Sequence, residues 1–356
     1  MRTEESTMWR VLLQPVRQYL RDLTYHLLEG WNRFWFTPTD PTTLACIRIC
    51  TGLVLLYIYA TVAHMVPDLI GPDGWVDLQA SRELRDTDYN EWADIERAAW
   101  RQSIWLYIQS PTGLYLTYGA FLLAIACYTL GLFSRVVTPL VWIGHLSFVH
   151  RGYVAWYGID SILAMLLLYQ LFAPVGATLS LDRWLAGRRH PEVDQDPPPP
   201  SIGANISIRL IQVHMCIVYF CAGMAKLQGP MWWNGTATYY TMMIPEFAPV
   251  DMRWLANMDY TIVYLVSLAG TAFTLFFEIV FAFLIWNRWW RPILLFMAVM
   301  LHGAITLFMG LGSFGVAMLT GCMSFVPPDK MKWFLHVVAN WLAGKTPEPT
   351  AVASAS

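Results

Sequence analysis

Apolar residues fall into eight stretches that reach, or nearly reach, the length of a bilayer crossing, and the charged residues collect between them. The stretches are Leu44–Val66, Thr112–Leu132, Val136–Val149, Ile159–Leu181, Gly203–Met224, Thr261–Trp286, Pro292–Met309 and Leu311–Val326. A membrane-crossing helix needs about 20 mostly apolar residues. The pattern therefore predicts an all-α polytopic bundle of about eight transmembrane helices. The third and eighth stretches are short, which predicts tilt, partial re-entry or pairing with a neighbour. Ahead of them, Trp9, Leu13, Val16, Leu20, Leu23, Leu27 and Trp31 recur at spacings of three and four, with Arg10, Arg17, Arg21 and Asp22 on the other face. That periodicity predicts an amphipathic helix over residues 1–30, either lying on the membrane surface or packed on the bundle. The proline-rich stretch from Pro191 through Pro200 reads as a stiff loop between spans four and five.

Composition supports the bilayer. The chain is 56% hydrophobic and only 13% charged, with a mean hydropathy of +0.42. Soluble chains carry roughly 25% charged residues, so this one lacks the polar cover that water demands. A net charge of −2 gives no sign of nucleic-acid binding. Lys and Arg set the orientation. With the N-terminus inside, 14 of the 23 lie in cytoplasmic segments and 6 in external ones, with Arg48, Arg209 and Lys226 in or at the edges of spans. The loop over residues 66–111 is acidic, with Asp73, Asp77, Asp86, Asp88, Glu91, Asp94 and Glu96. Both termini are expected in the cytoplasm, and residues 329–356 as a short cytoplasmic tail. No cleavable signal is apparent. The six cysteines, Cys46, Cys50, Cys127, Cys216, Cys221 and Cys322, fall in apolar runs without a CxxC pair and read as inert thiols, with neither a disulfide nor a zinc site expected.

Ionisable residues inside apolar spans are costly and are functional candidates by default. Arg48 and Arg209 lie within about two turns of the cytoplasmic surface, where a long side chain can snorkel to water. Lys226 closes the fifth span on the external side, against the charge bias. A lysine held in a dry pocket loses proton affinity and can serve as a general base; snorkelling outward is the bland alternative. Glu278 and His302 fall mid-span at similar depth in neighbouring antiparallel helices, which predicts a buried Glu278–His302 pair, either a structural clamp or part of a catalytic site. An Arg151–Asp160 ion pair is expected across the short external turn, rather than a metal site built on His145 and His150. His64 and His214 read as packing or interfacial residues. The aromatic loop Met231–Ala237, followed by Tyr239 and Tyr240, suits the membrane interface or a lid over a hydrophobic ligand arriving from the lipid.

Four blocks in order carry a family resemblance. They are Pro38-Thr39-Asp40-Pro41 with Leu44, Ala45, Arg48 and Gly52; Leu130-Gly131-Leu132 with Arg135; Tyr219-Phe220, Ala222-Gly223, Lys226-Leu227 and Trp233; and His302 followed by Gly312 and Phe314. Ser180-Leu181-Asp182 belongs with them. Over residues 31–328 the chain resembles the horizontally transferred transmembrane (HTTM) domain proteins and the membrane portion of vitamin K-dependent γ-carboxylases. Those carboxylases oxidise reduced vitamin K with O₂ to its epoxide, and the strong base formed removes a proton from a glutamate γ-carbon that then captures CO₂. The resemblance implies that Lys226 is the base that deprotonates the hydroquinone, on the extracytoplasmic side.

The departures are specific. Ala225 stands where the carboxylases carry a second lysine. Tyr157-Gly158-Ile159-Asp160-Ser161 replaces an Asn-Asn-His-Ser run, so that Asp160 takes the place of a catalytic histidine. Ile305 replaces an asparagine. The sequence as it stands shows no counterpart of the large β-rich lumenal domain, so a peptide substrate is not the expectation. The resemblance then implies a multi-pass protein of the cell (inner) membrane of a bacterium, with Lys226, Asp160, His302 and Glu278 catalytic and Tyr219, Phe220, Gly223 and Trp233 around a reduced vitamin K or menaquinol. A protein or small-molecule acceptor would complete the reaction. The rival from another class is a non-catalytic scaffold, lipid or quinone carrier, or transporter on the same fold.

Overall fold

The computed structural model describes residues 2–87, 89–90, 95–96, 102–152, 155–190, 197–244, 249 and 251–345; of residues 2–13, 15–16, 84–87, 89–90 and 95–96 it describes the backbone alone. The long helices are α1 (Arg2–Phe36), α2 (Thr42–Thr61), α5 (Pro111–Leu130), α6 (Ser134–Arg151), α7 (Gly158–Gln170), α9 (Ile202–Lys226), α12 (Tyr260–Leu284), α13 (Trp290–Met309), α14 (Gly312–Cys322) and α15 (Pro328–Leu342). Shorter ones join them: α3 (Val66–Ile70), α4 (Leu78–Thr87), α8 (Leu181–Arg189), α10 (Pro230–Trp233) and α11 (Ala237–Met242). Among the described residues the strand structure is one antiparallel pair, Tyr89–Asn90 with Ile95–Glu96, where Tyr89 faces Glu96. The acidic positions Asp88, Glu91 and Asp94 lie outside the described residues.

Five helices, α2, α5, α9, α12 and α13, are long and apolar enough to cross a membrane. Their burial separates centre from rim: 61% of the apolar window of α2 is buried, against 22% of that of α13 and 28% of that of α12. Leu116, Leu123, Phe283, Phe296 and Leu307 remain outside, each more than half exposed. In water such a surface would aggregate; in hydrocarbon it is solvated. The core gathers around α2, whose Leu44, Ile47, Leu55 and Tyr59 are almost wholly buried together with Ile125, Val141, Leu163 and Ile211 from the helices around it.

The predicted third span is longer than expected, because α6 occupies 18 residues, Ser134–Arg151. The fourth is shorter. It ends at Gln170 after 13 residues, about 20 Å at 1.5 Å per residue. The apolar run continues through Phe172, but Pro174 lacks the N–H that another turn needs, so the chain leaves the helix and restarts as α8. The eighth stretch becomes α14, 11 residues closed by a 3-10 turn over Met323–Phe325. The short helices α7 and α14 pack on each other and on α2 in the interior.

Both terminal helices join one end of the bundle. Thr39 and Ser201 exchange backbone hydrogen bonds of 3.1 and 2.8 Å, and Asn205 Nδ2 donates to the carbonyls of Phe34 and Trp35. Thus α1 runs six residues past the expected boundary and its last turns pack; among the described side chains, Leu20, Leu27 and Trp31 are exposed beside Arg17 and Arg21. At the same end Lys332 of α15 pairs with Asp40, so the residues expected as a tail begin with a docked helix. The far end is capped by α3, α4 and the turn over Ile104–Tyr107, held by Ser103 Oγ donating to the Ser147 carbonyl at 2.6 Å.

Arg48 does not snorkel. It is fully buried, and its Nη1 and Nη2 donate to the Val175 and Leu179 carbonyls, because the loop after α7 folds back over it. Three of the sequence blocks meet there. Gly131 ends α5 with φ +70°, and a side chain on it would collide with Arg48 Nη1. Asp182 accepts from the Phe133 and Ser134 amides at 2.7 and 2.8 Å, capping α6. Nor do Arg151 and Asp160 pair. Arg151 donates to Ser81 Oγ and the Gly71 carbonyl and so fastens the far cap, while Asp160 accepts from the Tyr157 amide and closes the first turn of α7.

Candidate functional site

Ser201 caps α9 by accepting from the Ala204 amide, and the helix then runs unbroken to Lys226. Residues 219, 223 and 226 are spaced by four and three and share one face. That face meets α12. At Gly223 a Cβ would lie 2.9 Å from Ile279 Cγ1 and 3.3 Å from Glu278 Cβ, so glycine is what lets the backbones approach.

Two polar contacts, one buried and one partly buried, flank this crossing. Lys226 Nζ donates to Glu278 Oε1 at 2.8 Å, with side chains 26% and 8% exposed. About two turns back along α9, Tyr219 Oη and His302 Nε2 are 2.8 Å apart, and Cys322 Sγ lies 3.3 Å from the same hydroxyl. The Tyr219 ring is caged by Phe277 and Phe281, at centroid distances of 5.0 and 4.5 Å. The expected Glu278–His302 pair is therefore replaced. Depth alone made them neighbours, but α9 supplies a partner to each, Lys226 to the acid and Tyr219 to the imidazole.

Two atoms of the cluster are buried without a hydrogen-bond partner: Glu278 Oε2 and His302 Nδ1. If Tyr219 donates to Nε2, then Nδ1 carries an unused proton; if it accepts, Nδ1 is a bare acceptor and the hydroxyl hydrogen turns to Cys322. Either way the imidazole keeps one free position. Buried polar atoms are seldom left so, and here two such atoms belong to one cluster.

The aromatic loop is pinned over this end of α9. The Gly235 carbonyl, at φ +75°, accepts from Ser267 Oγ and Thr271 Oγ1, and these two hydroxyls in turn accept from the amides of Tyr239 and Thr238 in α11. The loop thereby sets the Trp232 ring 5.4 Å from Lys226 Nζ, a cation–π contact. Trp233 faces outward at 72% exposure and donates Nε1 to the Leu227 carbonyl. The residue expected at the ligand is thus an anchor, and its neighbour holds the lysine. Beside Trp232 opens a cavity of about 470 Å³ lined by Met231, Ala237, Tyr240 and Ile244.

The structure brings together Lys226, Glu278, His302, Tyr219 and Gly223. It does not bring in Asp160, whose carboxylate is spent on Tyr157 and whose carbonyl lies 3.0 Å from His145 Nε2. Phe220 points to Phe283, 5.6 Å away between centroids, on another face of α9. Trp232 and Cys322 were missed. A double tryptophan after a lysine was visible in the sequence, although which ring turns inward was not; nothing marked Cys322 among the six thiols.

Lipid-facing apolar helices enclosing a partly buried ion pair and a buried Tyr–His contact define a polytopic α-helical membrane protein with a polar interior site. The model of one family, the HTTM domain, matches residues 60–330, well over half of the chain. The chain belongs to the HTTM family. No curated protein and no solved structure matches it.

Proposed function

We propose that this HTTM protein is a membrane enzyme that deprotonates a hydroquinone drawn from the bilayer, with Lys226 as the base and Glu278 as its proton partner. The observation that carries the reading is the 2.8 Å contact between Lys226 Nζ and Glu278 Oε1 beneath Trp232. A lysine in an ion pair is not itself a base. Moving its proton onto Glu278 converts the charged pair into a neutral amine and a carboxylic acid, and a low-dielectric setting narrows the cost of that exchange because it removes two buried charges. The neutral amine can then accept a phenolic proton.

The residues fit such a ligand. Glu278 Oε2 and His302 Nδ1 offer two unpartnered polar positions, matching a hydroxyl that both donates and accepts. Reduced vitamin K or menaquinol would supply an acidic O–H and two reducing equivalents when bound. Glu278 and His302 would hold the head, and Tyr219 fixes the imidazole through its hydroxyl. Trp232 lies over the lysine, whose side chain keeps 26% of its exposure. By charge bias this end of the bundle is the extracytoplasmic one, and the setting is the inner membrane of a bacterium.

The second reading is a carrier or scaffold in which the Lys226–Glu278 pair only clamps α9 to α12. Its support is that both groups are already satisfied by each other. The two separate on one measurement: oxygen-dependent epoxide formation from reduced vitamin K or menaquinol by the protein in nanodiscs, beside Lys226→Ala and Glu278→Gln. The enzyme reading expects epoxide from the wild type and its loss in both variants. Folded wild-type protein that forms none from either quinol leaves the carrier.

A further inference from the structure

At the end of the bundle remote from Lys226, an open cavity of about 710 Å³ lies between the first turns of α6 and the loop that follows α7. The separation follows from α9. The Phe172 carbonyl of this cavity's wall is 2.6 Å from where a Gly203 Cβ would be, and Gly203 precedes Lys226 by 23 residues, about 34 Å of helix. The volume lies in the usual range of ligand sites.

Its floor is polar and underused. Gln170, 1% exposed, accepts from Tyr128 Oη at 2.8 Å through Oε1, but its Nε2 has no partner. Ser134, 4% exposed, has its amide bound to Asp182 while its hydroxyl has no partner. Arg48 lies against the same wall, bonded to the carbonyl of Val175, and its Nε is unpartnered as well. A buried donor without an acceptor is costly, and two such groups belong to the lining of one cavity.

Charge points the same way. Arg48 behind the wall and Arg135, exposed at the mouth, face one carboxylate, Asp182, which is already committed to the first amides of α6. Unpartnered side-chain donors under a positive balance suit an acceptor-rich anion. The mouth carries Phe133 and Phe172, 67% and 57% exposed, at the end of the bundle where lipid headgroups meet the protein. Apolar shoulders around a basic polar floor match a phosphate that bears acyl chains.

We propose that this cavity binds the phosphoryl oxyanion of an anionic phospholipid, with Gln170 and Ser134 as floor donors and Arg135 as the cation at the mouth. The site lies outside the proposed quinol chemistry and does not depend on it. Its role would be to fasten the loop after α7, and with it Arg48, to the membrane surface.

The test is lipid binding by the purified full-length protein in neutral detergent, followed by native mass spectrometry and by thermal midpoint. The probes are dioleoyl phosphatidic acid, dioleoyl phosphatidylcholine and inorganic phosphate. The expected result is saturable phosphatidic acid binding that raises the midpoint, with weaker phosphatidylcholine binding. Arg135→Gln should weaken the phosphatidic acid affinity about tenfold, the factor that corresponds to about 1.4 kcal/mol. Gln170→Leu should weaken it too; should that variant misfold through loss of the Tyr128 contact, Arg135→Gln at the exposed mouth still decides. Stabilisation by inorganic phosphate equal to that by phosphatidic acid would overturn the lipid assignment in favour of a soluble phosphate. Binding of both lipids alike and insensitive to Arg135→Gln would overturn the site. None of these readouts involves epoxide, so failure here and failure of the quinol reading are distinguishable.

Discussion

The guanidinium of Arg48 occupies the space that a side chain at position 131 would need. Gly131 holds φ +70° at the end of α5, and its carbonyl accepts from the Asp182 amide at 3.0 Å, so one residue joins the arginine, the α5–α6 turn and α8. Gly131→Ala is expected to destabilise the protein by more than the left-handed backbone alone, which costs about 1–2 kcal/mol, because Arg48 must also leave the Val175 and Leu179 carbonyls. The thermal midpoint in detergent checks this. A midpoint equal to that of the wild type would mean that the turn does not fix Arg48.

A double-mutant cycle separates the chemistry of Lys226 and Glu278 from their packing. Lys226→Met leaves Glu278, 8% exposed, without its cation; because Lys226 itself is 26% exposed, the cost falls below the roughly 3–5 kcal/mol of a fully buried pair. Lys226→Met combined with Glu278→Leu removes both charges and should recover most of that stability. Epoxide formation should be absent from all three variants. Recovery of stability without recovery of turnover is the expected pattern, and recovery of both would reduce the pair to a clamp.

Much of the bundle was legible because the bilayer imposes a length. The spans read at Thr112–Leu132 and Gly203–Met224 lie within two residues of α5 and α9 at each end. The fourth span was misread at its end, since hydropathy counts Leu171, Phe172 and Val175 as membrane residues and is blind to the proline that denies the helix its next hydrogen bond. Arg48 was misread because snorkelling is argued from depth, and depth does not reveal that a loop 127 residues onward closes over the side chain. At the site, Lys226, Glu278 and His302 stood out as charge in apolar surroundings. Their pairing did not, since it depends on α9 lying against α12 along the Tyr219–Gly223–Lys226 face. Trp232 and Trp233 differ only in which way a four-residue helix turns them.

Tyr219→Phe removes the hydroxyl that meets His302 and Cys322 while keeping the ring in its Phe277–Phe281 cage. His302, 2% exposed, then has neither ring nitrogen bonded. The expected loss is about 1–3 kcal/mol for the stranded group. If Tyr219 orients the imidazole toward a bound hydroquinone, kcat should fall by a larger factor than stability alone explains, whereas Cys322→Ala should leave it nearly unchanged. Equal effects of the two substitutions on kcat would remove the orienting role.

The contact between Lys332 of α15 and Asp40 gives stability a defined pH dependence. Burial works to raise the Asp40 carboxyl, but the hydrogen bonds from Lys332 and from Thr42 outweigh it and hold the group below its ordinary value of 3.8. A carboxyl with a depressed folded value stabilises the protein fully above its unfolded value, and that contribution disappears as pH falls through the folded value. Lys332 is half exposed, with a side-chain exposure of 49%, so the pair is worth no more than about 1 kcal/mol. The midpoint difference between wild type and Lys332→Met should therefore be constant from neutral pH down to about 5, shrink below about 4, and vanish in stronger acid. It should also shrink in high salt, since an exposed pair is screened. A difference that persists unchanged below the folded value of Asp40 would show that Lys332 holds α15 to the bundle through its methylene stem and not through its charge.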